Sequence, residues 1–156
     1  MDTALLPDPR EGGLSSELPK ARLEKAVRLL SLEKRKESAG AGLLLARILP
    51  RFLADAEEVF ADERGKLLHP RLFLSLAHGG GMAGLAGGGR PLGCDVEKFS
   101  RVRETVLRRF SKEERAFVRE AAGERAREGA FYRIWTGKES YLKMTGEGLP
   151  AWKEVR

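Results

Sequence analysis

The chain has 156 residues, 42% of them apolar, and carries 29 lysines and arginines against 23 aspartates and glutamates, a formal charge of +6. That length and apolar share suffice for one ordinary domain or two small packed lobes, and they exclude a chain disordered throughout. No apolar run approaches the ~20 residues that span a bilayer, the first ten residues lack the apolar stretch of a secretory signal, and the one cysteine, Cys94, excludes an intrachain disulfide framework and suits a reducing cytosol.

Residues 1–6 read as a short strand and 7–16 as turn-rich. From 17 to 53 the apolar residues Leu23, Val27 and Leu30, then Leu43, Leu44 and Ile48, recur at three- and four-residue steps, the spacing of a buried helical stripe. The small-residue run 38–42 predicts either close packing or a break between two helices, and Pro50 bends or closes the helix. Residues 56–71 read as an irregular connection. Three strands are expected at 72–76, 82–86 and 92–97, set apart by glycine clusters at 79–81 and 87–89, as in an antiparallel meander. Helices follow over 103–110, 112–122 and 125–145. Ser111 with Glu114 three residues on is a capping-box signature, and the last helix carries Phe131, Ile134, Trp135 and Leu142 along one face.

Two segments carry chemistry. In Gly93-Cys94-Asp95-Val96-Glu97 a strand would turn Asp95 and Glu97 to one side and Cys94 and Val96 to the other. Two carboxylates roughly 6–7 Å apart on one face repel unless a cation lies between them, and a hard divalent ion with oxygen ligands supplies that charge. An exposed edge strand with two solvated acids has the same spacing and is the more ordinary reading. In the segment running from Trp135 to Lys143, Glu139 lies one helical turn from each of those residues. A carboxylate flanked by Lys138 and Lys143 suits a metal-bound diphosphate, although Glu139–Lys143 alone is also a routine surface pair. The net positive charge favours an anionic partner without choosing among nucleic acid, a phosphorylated cofactor and an acidic protein.

Phe73-Leu74-Ser75-Leu76-Ala77-His78, then the Pro91–Glu97 stretch, then Phe110-Ser111-Lys112-Glu113-Glu114, then the Phe131–Lys143 stretch, occur in one order and spacing. In this the chain resembles the surfactin-synthetase-activating (Sfp-type) 4'-phosphopantetheinyl transferases, over about residues 30–149. The resemblance implies an α+β fold of two pseudo-symmetric small lobes, each with helices packed on a short antiparallel sheet. Residues 1–90 would form an N-terminal lobe holding part of a coenzyme A site, and 91–156 a C-terminal lobe with the metal and phosphate site. It implies a cytoplasmic, holo-[acyl-carrier-protein] synthase-type enzyme that moves 4'-phosphopantetheine from coenzyme A to a serine of an acyl, peptidyl or polyketide carrier protein, with Mg²⁺ as cofactor.

Carried over residue by residue, the resemblance makes Asp95, Glu97 and Glu139 the metal-binding acids. Lys138 and Lys143 fall near the cofactor's phosphates, with Lys138 also counted among the catalytic residues. Glu139 is a candidate for the base that deprotonates the attacking serine, and Glu114 is an alternative. His78 falls on a contact to the 3'-phosphate of coenzyme A. Gly65 and Lys66 match a Gly-Lys-Pro element near the nucleotide, with Leu67 in place of its proline. An arginine expected around position 38 is Ser38 here, and Lys34, Arg35 or Lys36 is the candidate replacement, Arg35 foremost.

Ala77 and Gly79 stand where relatives often have serines beside the histidine, so the amides of Gly79 to Gly81 form either an anion nest or a plain hairpin turn. Relatives usually continue past Gly146-Glu147-Gly148-Leu149 with several more strands, so the second lobe is expected to be incomplete or completed by another chain. His78-Gly79-Gly80-Gly81 imitates a lipase oxyanion motif, but the sequence has no Gly-x-Ser-x-Gly nucleophile. His69, His78 and Cys94 lack zinc-site spacing. A basic nucleic-acid-binding domain, and an inactive relative that binds coenzyme A or a carrier protein, are the alternatives. The first lacks an aromatic-interleaved basic stripe or a docking motif, and no membrane partner is expected.

Overall fold

The computed structural model describes residues 1–52, 54–148 and 152. Its first half packs two helices, α1 (Lys20–Arg28) and α2 (Leu32–Ile48), against a sheet of order β1-β2-β3-β4. The strands are β1 (Phe60–Ala61), β2 (Leu67–Leu68), β3 (Phe73–Gly79) and β4 (Met82–Gly88), all antiparallel. The second half is helical: α3 (Glu104–Leu107), α4 (Lys112–Glu120) and α5 (Glu124–Thr145). The fold is α+β. Among the described residues only the first half carries a sheet, so the expected second sheet is not part of what is seen.

The helical stretch at 17–53 is two helices, but the break falls at 29–31 and not at the small residues. Ser31 caps α2 by accepting from the Lys34 amide, and Leu30, expected on the buried stripe, is 92% exposed. The run 38–42 is wholly buried because small side chains let neighbouring chain approach α2. A Cβ on Gly42 would lie 2.6 Å from Leu18 and 3.1 Å from the Cβ of Arg22, so this glycine sets how near α1 can come. The helix closes at Ile48 and a 3₁₀ turn follows through Pro50. Residues 56–71 are less irregular than expected, since they hold a 3₁₀ turn, β1 and β2.

Residues 1–6 contribute a single bridge, Asp2 to Met82, in place of a strand. Gly80 and Gly81, both at positive φ, make the two-residue turn of the β3–β4 hairpin, where Gly79 pairs with Met82. The expected third strand at 92–97 does not form: the segment is hydrogen-bonded into no ladder.

Leu14, Leu18, Ala26, Ala39 and Leu43 form one core cluster, and Leu45, Leu49, Ala54 and Leu74 another under the sheet. The third is largely aromatic: Phe110, Phe131, Tyr132 and Trp152 with Val106, Leu107, Val118 and Leu142. The capping box at Ser111 and Glu114 is present and starts α4. No helix among the described residues is long and apolar enough to cross a membrane.

Candidate active site

Residues 93–97 are wedged between β3 and α5. A Cβ at position 93 would lie 1.8 Å from the Ser140 carbonyl oxygen, so only glycine allows the chain to run this close to the helix. The Cys94 amide donates to Ser75 Oγ (2.9 Å), which ties the segment to β3. Alternation then sends the next side chains to α5 even without a ladder. Asp95 Oδ1 accepts from Lys143 Nζ (2.5 Å), and Glu97 Oε1 accepts from Trp135 Nε1 (3.1 Å). The other Glu97 oxygen lies 3.6 Å from the Arg103 guanidinium, which also covers the Trp135 ring at 4.8 Å.

Glu139 sits on α5 between those two contacts. It is half-buried and makes no hydrogen bond or ion pair among the described residues. Burial first, then the charges of Asp95 and Glu97, push its carboxyl above the usual range, against the opposing pull of Lys143 and Arg103. Asp95 Oδ2 is buried with no partner. This spot therefore has more negative charge than its cations offset.

A divalent cation would offset this surplus. Among the described residues no three acidic, histidine or cysteine side chains are gathered as a ready-made cage. Mg²⁺ needs less from a protein, commonly one or two carboxylates with phosphate and water completing the shell. Asp95 Oδ2 and Glu139 fit that role. Glu97 is the weaker member, because both its oxygens already face donors.

One cavity adjoins this cluster, and a second adjoins the first. A cleft of about 410 Å³ is lined by Glu139 and Lys143 on one side and by Arg64, Gly65, Lys66 and Ser75 on the other. Lys66 Nζ donates to the Met144 carbonyl, and Asp62 Oδ1 accepts from the Lys66 amide, fixing the β1–β2 turn at Gly65. A second cavity of about 250 Å³ is lined by Arg22, Lys25 and His78 against one acid, Glu57, with apolar Leu45, Val59 and Phe60. Gly65, Leu67 and Leu76 line both.

In the second cavity all three basic groups are pushed below their usual ranges. Burial is the leading cause each time, and Arg22 adds repulsion on Lys25 and His78. Arg22 Nε is buried without a partner. The surplus here is positive.

Three of the expected site residues belong neither to the acid cluster nor to the lining of these cavities. Arg35 is buried and spends its donors internally, on both oxygens of Asp8 (2.8 and 2.6 Å) and on the Leu29 and Leu30 carbonyls. Lys138 continues the apolar stripe of Phe131, Trp135 and Leu142, so it points into the aromatic core. There it pairs with Glu114 at 2.9 Å and lies 5.8 Å from the Trp152 ring. Glu114 Oε2 accepts from the Ser111 amide in the cap of α4 while Oε1 pairs with Lys138 of α5, so both its oxygens are engaged. The glycine amides at 79–81 serve the turn, with Gly81 N donating to buried Glu37.

Arg22 and Lys25 were not singled out from the sequence. Their three-residue spacing places them on one helix face, but among 29 basic residues that spacing has no contrast; the cavity supplies it.

Residues 91–156 match the family model of the 4'-phosphopantetheinyl transferase superfamily. Over these residues the chain is similar to that superfamily. It is also similar to the 4'-phosphopantetheinyl transferase gsp of Aneurinibacillus migulanus, 23% identical over 140 residues, which cover 87% of this chain and 59% of that protein. The chain thus spans less than two thirds of the relative's length. The stretch matched to the superfamily contains Asp95, Glu97, Glu139 and Lys143, whereas Arg22, Lys25, Gly65, Lys66 and His78 lie before it.

Proposed function

We propose that this protein transfers 4'-phosphopantetheine from coenzyme A to a serine of an acyl, peptidyl or polyketide carrier protein in the cytoplasm, with Mg²⁺ required. The observation that carries the reading is a basic cavity adjoining a cleft that is lined by Glu139 of the acid cluster together with Lys66 and Lys143. Coenzyme A has a 3'-phosphate at one end of its nucleotide and a diphosphate that binds Mg²⁺ at the other. The basic cavity suits the former, and the cleft by Asp95 and Glu139 suits the latter. In this reading residues 1–90 and 91–156 act as two lobes with the ligand between them.

Arg22, Lys25 and His78 would hold the 3'-phosphate, and Lys66 and Lys143 would border the diphosphate. Asp95 and Glu139 would hold Mg²⁺, with Glu97 beside them; when bound, the ion supplies charge neutralisation on the diphosphate. The carrier serine oxygen bonds to the β-phosphorus, the bond from that phosphorus to the bridging oxygen breaks, and adenosine 3',5'-bisphosphate leaves with the electron pair. The serine proton goes to a carboxylate or to water it holds. Glu139, which makes no hydrogen bond or ion pair among the described residues, is freer to accept it than Glu114, which is committed to the capping box and to Lys138.

Incubation with coenzyme A, Mg²⁺ and an apo carrier protein, followed by mass spectrometry of the carrier, tests this. A gain of one phosphopantetheine is expected, and it should vanish with a chelator. An unchanged carrier with coenzyme A still bound would replace the proposal with a non-catalytic binder. Salt-sensitive retention on DNA with neither result would favour nucleic acid.

A further inference from the structure

Glu37 is an unusual residue to find in the middle of α2. Its side chain is wholly buried, a costly place for a carboxylate unless donors surround it. Two do so at hydrogen-bonding distance: Gly81 N to Oε1 (2.9 Å) and Lys34 Nζ to Oε2 (2.8 Å). A third group stands slightly farther off. His78 Nδ1 lies 3.7 Å from Oε2, and that nitrogen is buried with no hydrogen-bond partner. Glu37 thus joins α2 to the tip of the hairpin whose first strand carries His78.

We propose that Glu37 is a positioning residue for phosphate recognition, holding the His78 ring with Nδ1–H toward its own carboxylate so that Nε2 is the nitrogen offered to a phosphomonoester beside Arg22 and Lys25. The inference rests on the coenzyme A reading above. A carboxylate behind one imidazole nitrogen fixes tautomer and ring orientation. To donate to a phosphate, Nε2 must carry a proton, so the bound ring is an imidazolium with Nδ1–H directed at Glu37. That proton comes from solvent.

The groups acting on His78 are Arg22 and Lys25 from α1 and Glu37 from α2, with Lys34 behind Glu37. In the empty cavity burial and the two cations favour the neutral ring, while Glu37 opposes them. An arriving dianion offsets Arg22 and Lys25, and Glu37 then supports the charged ring. The 3.7 Å gap exceeds a hydrogen bond, as is common before a ligand draws such contacts together.

A purely structural Glu37 would act on every ligand alike, and this separates the two roles. Glu37→Gln keeps an oxygen for the Gly81 amide and should fold. Its KM should rise about tenfold for coenzyme A, the worth of one charge-assisted hydrogen bond, and stay within about twofold for 3'-dephospho-coenzyme A, with kcat nearly unchanged. In a His78→Ala background the same substitution should add nothing. Equal losses with both donors, or additive losses in the double variant, would overturn the proposal. Nitrogen-15 NMR of the His78 ring provides an arm that needs no transfer activity. A protonated Nδ1 is expected, whereas an unprotonated Nδ1 with protonated Nε2 overturns the assignment. A wild-type protein that transfers from neither donor would defeat the transferase reading and leave the ring tautomer to decide on Glu37.

Discussion

Asp8 and Asp95 are each held by one cation, and the two pairs are built for different ends. Arg35 grips both oxygens of Asp8 and spends its remaining donors on the Leu29 and Leu30 carbonyls. Its hydrogen bond is the main cause that lowers the Asp8 carboxyl to about 2. Lys143, a point charge without a second prong, reaches only Oδ1 of Asp95, while Oδ2 is buried and unpartnered and Glu139 adds further negative charge nearby. The arginine pair is complete and locks the α1–α2 joint. The lysine pair is short of positive charge, and an uncompensated charge in a cleft is a physical reason to place a ligand there.

Making the same change at both aspartates should divide these roles most sharply. Asp95→Asn removes charge where the cation would sit, so transfer should fall about 10²–10³-fold, the scale for losing one electrostatic contact to the reacting groups. Its thermal midpoint should barely move. A variant that transfers within a few-fold of wild type would take Asp95 out of the mechanism. Next in size is Arg22→Ala in the basic cavity. It should weaken coenzyme A binding about tenfold in a calorimetric titration and leave 3'-dephospho-coenzyme A almost unaffected. Equal weakening of both would mean that the cavity does not hold the 3'-phosphate.

Asp8→Asn should do the reverse of Asp95→Asn: kcat close to wild type, thermal midpoint lower by several degrees. The pH dependence has a definite sign. A carboxyl lowered from 3.8 to about 2 contributes stability above pH 3.8 and loses it as pH falls through 2. The gap between wild type and variant should therefore be full at neutral pH and close below pH 4. A gap that persists unchanged at pH 2 would show that the Asp8 charge is not what stabilises the joint.

Much of the second half was legible in the sequence because its signals are local. The Ser111 and Glu114 capping box and the apolar stripe of α5 specify their helices without help from the rest of the chain. The alternation of Asp95 and Glu97 was also legible, since it needs only extended backbone, but its partner was not. Sequence suggested a third strand, and Gly93 turns out to fit the segment against α5 through a contact 47 residues away. Lys138, which the resemblance sets near the phosphates, pairs with Glu114 in the aromatic core. One position from Glu139 along the helix is a rotation of about 100°, which carries it from the cleft to the core. Arg35 and Arg22 show the same limit: both are arginines near small residues, and only packing through Gly42 and the Asp8 turn separates them.

The smallest effect expected is on stability at Glu139, and it tests the charge deficit without requiring transfer. A half-buried carboxyl pushed up by burial and by Asp95 and Glu97 is destabilising in its charged form. That penalty is absent below the unfolded value of 4.5 and grows as pH rises through the raised folded value. Glu139→Gln should therefore stabilise the metal-free protein slightly at pH 7, since the group is only half-buried and solvent screens it. The gain should disappear below pH 4.5. Adding Mg²⁺ with coenzyme A should reverse the order, because the cation then offsets the wild-type charge and the glutamine offers it less. A Gln variant less stable than wild type at pH 7, by an amount indifferent to pH, would mean that Glu139 is already compensated, and the contrast with the Asp8 pair would lose its basis.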